Sequence, residues 1–121
     1  MPTIVVMITK LCDLIIVPGN VPNFIGRYDQ SSQNVNFTWT PPIEPNGIII
    51  GYYLSVWTEN MVREYNFSNG TENFYWNASI LCQNYMASIQ AKTRLGKGNT
   101  TITEFKTSPG RMDVREYYFK T

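Results

Sequence analysis

The chain has 121 residues, 43% of them apolar and 16% charged, with a formal net charge of +1. That length suits one domain with tails, and the near-neutral balance without a basic stripe excludes the electrostatic footprint of a nucleic-acid binder. The count of 0 histidines removes Ser-His-Asp and Cys-His nucleophile systems and every His-containing zinc site.

Cys12 and Cys82 are the only cysteines. They form no CxxC pair, so a zinc or thioredoxin-like reading fails. The 9 carboxylates are scattered and show no acid–base pair. The chain therefore reads as a non-enzyme with no cofactor and no catalytic or metal site.

Residues 1–20 read MPTIVVMITKLCDLIIVPGN. The apolar run from Ile4 to Ile8 is interrupted by Lys10 and Asp13. With no charged lead and no small-residue cleavage site, it makes a poor signal peptide. It is also too broken for the ~20 apolar residues of a membrane helix. Ile4-Val5-Val6 reads as a strand or the end of a preceding segment, and Pro18-Gly19 breaks the chain.

The remainder reads as short strands between turns. Val35, Phe37 and Trp39 alternate with Asn36, Thr38 and Thr40, a period-2 strand with one apolar face. Pro41-Pro42 ends it, because proline gives no ladder donor, and Asn46-Gly47 marks a turn. Residues 48–58 form a long strand with Tyr52, Leu54 and Val56 on one face and Tyr53, Ser55 and Trp57 on the other. Residues 62–67 make a short strand before the Ser68-Asn69-Gly70 turn.

Phe74, Trp76, Ala78 and Ile80 then share one face of a strand, and Tyr85, Ala87, Ile89 and Ala91 share one face of the next. Gly96 and Gly98 bracket a turn, and residues 100–107 are the last strand. Helical periodicity is absent from this region. The apolar faces must meet across two sheets, because a single sheet would leave one of them wet. The expected core includes Trp39, Tyr52, Leu54, Trp76, Tyr85 and Ile89.

Asn-x-Ser/Thr occurs at Asn36, Asn66, Asn69, Asn77 and Asn99. Chance would give roughly two such N-glycosylation acceptors. The enrichment points to a secretory compartment and makes these five asparagines candidate glycosylation sites.

From Val21 to Ser108 the order of residues resembles a fibronectin type III domain. Pro22 opens the first strand and Trp39 sits on the second, followed by Pro41-Pro42, Asn46-Gly47, Ile49, Gly51-Tyr52 and Leu54. Then come Tyr85-x-Ala87-x-Ile89-x-Ala91, Gly96-x-Gly98 and Thr107-Ser108-Pro109. The resemblance implies an all-β, seven-stranded sandwich with sheets A-B-E and C′-C-F-G. It makes residues 1–20 an N-terminal extension or the end of a preceding segment, 21–108 the domain, and 109–121 a C-terminal linker or tail.

It also makes Tyr85 the tyrosine-corner residue near the start of strand F. The family usually places a leucine six residues before that tyrosine. Here Leu81 stands four before it, so the E–F turn is shorter and the corner hydrogen bond is an open point. An immunoglobulin reading is weaker, because no cysteine lies on strand B or F.

The resemblance implies an extracellular module of a cell-surface receptor or adhesion protein. Its partners would be a protein or neighbouring repeats, with no nucleic acid and no direct membrane insertion of this segment. The alternative is an intracellular structural repeat. Neither Arg-Gly-Asp nor Trp-Ser-x-Trp-Ser occurs. Arg94 and Lys97 fall in the F–G turn, either as a weak anion contact or as a solvated turn. Cys12 and Cys82 are expected at opposite poles and unpaired, unless residues 12–20 fold back along the sandwich, a span of about 30 Å that extended chain can cover.

Strand parity places Tyr53, Trp57 and Met86 on the outer face of the C′-C-F-G sheet, the candidate protein-binding face; the alternative is that Trp57 is covered by Tyr65, by residues 1–20 or by a neighbouring domain. Asn36 and Asn77 face outward from the A-B-E sheet. Asn66 and Asn69 are expected around the C′–E turn and Asn99 near the F–G turn, leaving the middle of the C–F face without an acceptor asparagine.

Overall fold

A computed structural model of the chain describes residues 17–108, apart from positions 79 and 81. These residues form eight strands: β1 (Ile25–Asp29), β2 (Asn34–Thr38), β3 (Gly51–Trp57), β4 (Val62–Ser68), β5 (Asn73–Asn77), β6 (Asn84–Thr93), β7 (Gly96–Lys97) and β8 (Thr101–Lys106). Strands β1, β2 and β5 make one antiparallel sheet in that order. The other sheet runs β4-β3-β6, with β7 and β8 both paired to the far side of β6. This is the expected arrangement A-B-E against C′-C-F-G, with the last strand in two pieces.

The break in that last strand has a local cause. Gly98 still donates to Ala91 O at 2.8 Å, but the next amide, Asn99, turns to Pro18 O at 3.0 Å. Any side chain at Gly98 would collide with the Pro18 backbone. The incoming chain thus takes the place of the ladder for one residue. Pro18 is fully buried, and Gly19 donates to Glu44 O at 2.8 Å. Residues 17–20 are therefore in contact with the sandwich, although the sequence places them ahead of it.

The inner faces follow the period-2 pattern. Val35 and Phe37 from β2, Tyr52, Leu54 and Val56 from β3, and Tyr85, Ala87, Ile89 and Ala91 from β6 are all essentially inaccessible. Trp39 lies one residue beyond the end of β2, yet its amide donates to Glu72 O at 3.1 Å and keeps it beside β5. Its indole is buried against Tyr52 and Phe67, both with ring centroids at 5.7 Å. At the other end Trp76 meets Tyr85 edge-on at 5.1 Å and donates its Nε1–H to Tyr65 Oη at 2.8 Å. Tyr85 in turn stacks on Phe105 at 5.2 Å.

The corner hydrogen bond forms. Tyr85 Oη donates to Ile80 O at 3.0 Å, and Thr107 Oγ1 donates to the same carbonyl at 2.9 Å. Two donors on that carbonyl accompany the early exit of the chain from β5. The strand ends at Asn77, Ala78 stays buried, and Ile80 is exposed, whereas the alternation predicts Ile80 inward. Cys82, in the same turn, is exposed with φ 56°. Cys12 lies outside the described residues, and with it the expectation that the two cysteines do not pair.

Candidate recognition surface

The outer face of the larger sheet is set by its register. Tyr53 stands opposite Asn66 on β4 and Gln90 on β6. Ser55 stands between Glu64 and Ser88, and Trp57 between Val62 and Met86. Beyond β6, Ile102 and Glu104 of β8 face Ser88 and Met86. Directly opposed residues share a face and lie close enough for side-chain contact. Trp57, Met86, Val62 and Ile102 therefore gather at one end of this face. Val62 and Ile102 are exposed, while Trp57 and Met86 are half-buried.

At that end the last residue of β3, the first residues of β6 and the adjoining loops form an open groove of about 420 Å³, lined by Trp57, Thr58, Glu59, Gln83, Asn84 and Met86. A second groove, of about 380 Å³, lies at the pole of the sandwich between Asn46-Gly47-Ile48 and Thr93-Arg94-Leu95. Arg94 belongs to this polar groove, as an exposed residue of the turn before β7.

Tyr53, at the opposite end of the face, is already engaged. Lys97 Nζ stands over its ring, 3.6 Å from the centroid. Burial, followed by the hydrogen bond and negative charge of Glu64, raises its hydroxyl above the usual tyrosine pKa. The three predicted face residues thus separate into two places. Trp57 and Met86 are direct cross-strand neighbours, whereas Tyr53 pairs with Gln90 four residues further along.

Asn77 is exposed on the outer face of the smaller sheet, opposite Asn34. Asn36 shares that face between Arg27 and Tyr75. It is half-buried, and its Oδ1 is shut from solvent without a partner among the described residues. Asn69 is exposed in the turn after β4, and Asn99 is exposed in the break between β7 and β8.

Strand β4 covers the expected residues 62–67 and adds Ser68, so the turn begins one residue later. Asn66 is expected around the C′–E turn; the register sets it opposite Tyr53 on the candidate face, where its Oδ1 accepts from Lys92 Nζ at 2.7 Å. Glu59 and Glu104, beside Trp57 and Met86, are not among the predicted site residues. Glu104 is brought there by the register of β8 on β6, and Glu59 by the turn after β3.

Among the described residues no group of three His, Cys, Asp or Glu side chains is placed to hold a metal, and no helix is long and apolar enough to cross a membrane.

No protein-family model matches the chain. It is 32% identical to phosphatidylinositol phosphatase PTPRQ of Rattus norvegicus over 98 residues, 77% of this chain and 4% of that protein. It is 31% identical to the cell adhesion molecule Dscam2 of Drosophila melanogaster over 99 residues, 78% of this chain and 5% of that protein. The chain thus spans only a small fraction of these relatives, and the phosphatase activity in the first name belongs to the whole of that protein.

Among solved structures, the rat CD45 extracellular region, domains d3-d4, superposes with a TM-score of 0.66 at 22% identity, covering 75% of this chain and 50% of that one. A myokine structure superposes with a TM-score of 0.61 at 19% identity, covering 75% and 98%. Strand order, sheet pairing, tyrosine corner and aligned relatives together make the described chain a fibronectin type III domain.

Proposed function

We propose that this domain is an extracellular protein-recognition or spacer module of a larger cell-surface receptor or adhesion protein. We place its partner-binding surface at the Trp57–Met86 end of the larger sheet. The supporting observation is the uneven distribution of acceptor asparagines over the two outer faces. The smaller sheet presents Asn36 and Asn77. On the larger sheet Asn66 stands beside Tyr53, four residues along β3 from Trp57, a distance of about 13 Å at the rise of a strand.

Sugars at these positions cover the smaller sheet and the Tyr53 end of the larger one with bulky hydrated groups. The end carrying Trp57, Met86, Val62 and Ile102 stays open, and of these tryptophan and methionine are enriched at interfaces. The relatives named above are receptor-type and adhesion proteins, which supports the same reading.

The test is a binding screen of the full chain against a panel of secreted ectodomains, repeated with Trp57→Glu and, separately, Asn77→Gln. Loss of the partner with Trp57→Glu and retention with Asn77→Gln is expected. Binding that survives the first change and falls with the second places the partner on the smaller sheet and overturns the reading.

A further inference from the structure

The two aromatic residues of the outer face differ in what their rings already hold. Lys97 stacked on Tyr53 is the cation–π pair among the described residues, so that ring face is taken by the chain's own cation. Trp57, one end of the sheet away, has no such cation over it among the described residues. Indole is the strongest of the aromatic cation acceptors.

The surroundings of Trp57 add negative charge. Glu59 lines the same groove. Glu104 faces Met86, which faces Trp57, so the three side chains form one row across β3, β6 and β8. Thr58, Gln83 and Asn84 line the rest of the groove without charge. Lys106, opposite Asn84, is the cation at its margin. Two carboxylates and an indole face thus stand against Lys106 and, at the outer strand, Arg63, whose guanidinium is held by the Val62 carbonyl at 3.1 Å.

We infer that the groove receives a cationic side chain of a protein partner, an arginine in preference to a lysine, stacked on Trp57 and paired with Glu59 or Glu104. The inference rests on the docking face proposed above. A planar guanidinium can lie flat on the indole while its N–H fork meets a carboxylate, and it is more weakly hydrated than an ammonium. The groove volume of about 420 Å³ accommodates one long side chain and part of an apolar neighbour, which Val62 and Ile102 would cover.

The experiment uses the full chain, isotope-labelled, titrated with a capped leucine–arginine–leucine tripeptide. The same peptide with citrulline, which keeps the shape and removes the charge, serves as the comparison. Saturating shifts are expected at the Trp57 indole N–H, at Met86 and at Glu59. The citrulline peptide should bind roughly three- to thirtyfold more weakly, the span of a cation–π contact from exposed to desolvated. The pair Glu59→Gln and Glu104→Gln should weaken the arginine peptide several-fold while leaving the melting temperature unchanged.

Equal affinity for the two peptides, shifts centred on Tyr53 or the polar groove, or no shift with either peptide each overturns the inference. If Trp57→Glu abolishes binding of an ectodomain partner while the two peptides behave alike, the docking face stands and the cationic preference falls.

Discussion

At the scale of single residues, stability is concentrated in the aromatic pairs of the core. Trp39 is 2% exposed and touches Phe24, Tyr52 and Phe67. Trp39→Ala should cost about 3–5 kcal/mol, a large share of the stability of a domain this size. A melting temperature within a few degrees of wild type would contradict this.

Tyr85→Phe keeps the stacked ring and removes only the corner hydrogen bond. Because Thr107 still donates to the Ile80 carbonyl, no acceptor is stranded, and the expected cost is about 1 kcal/mol, read from denaturant midpoints.

The tyrosine hydroxyls also set a pH limit. Burial raises the pKa of Tyr52 and Tyr85, with Glu72 adding to the shift at Tyr52, and burial together with Glu64 raises that of Tyr53. A raised folded pKa means that the unfolded state releases its proton first. The contribution of these groups is complete below the ordinary tyrosine pKa near 10 and is lost as the pH climbs through the folded values. Thermal melts should be insensitive to these groups at neutral pH and fall above about pH 10.

At the scale of elements, most strands were legible because their inward residues are apolar and their outward ones polar. The strand from Tyr52 to Val56 and that from Tyr85 to Ala91 announce themselves by alternation, and the structure buries those faces. Strand β1 follows from the resemblance, which opens it at Pro22, but not from alternation, and it begins at Ile25. Its inward positions are Gly26 and Tyr28, so no apolar stripe exists, and only pairing with β2 makes it a strand. The exit at Ala78 was hidden for a similar reason, because it follows hydrogen bonds from Tyr85 and Thr107, which are distant in sequence.

Gly51 was legible as part of a motif, and the structure gives its reason. A Cβ there would run into the Phe67 carbonyl on β4. Gly51→Ala should push β4 away from β3 and cost about 1–3 kcal/mol. Hydrogen exchange should show reduced protection across Val62–Ser68 before the rest of the domain is affected, and unchanged protection there would refute the account.

At the scale of the molecule, the two-sheet sandwich follows from the apolar faces that the sequence displays, while the surface depends on register. Trp57 and Met86 share a face by parity, but their direct opposition, the capture of Tyr53 by Lys97 and the place of Asn66 beside Tyr53 emerge only when β3, β4, β6 and β7 are aligned.

A domain that works outside the cell, as proposed, meets the N-glycosylation machinery of the secretory compartment with its five acceptor asparagines. The most direct test is the mass of the protein recovered from the cells that make it, before and after removal of N-linked sugars. A fall in mass, with asparagine converted to aspartate at the exposed positions Asn66, Asn69, Asn77 and Asn99, is the predicted result. An unchanged mass, with all five acceptor asparagines unmodified, would contradict the extracellular reading and favour an intracellular structural repeat.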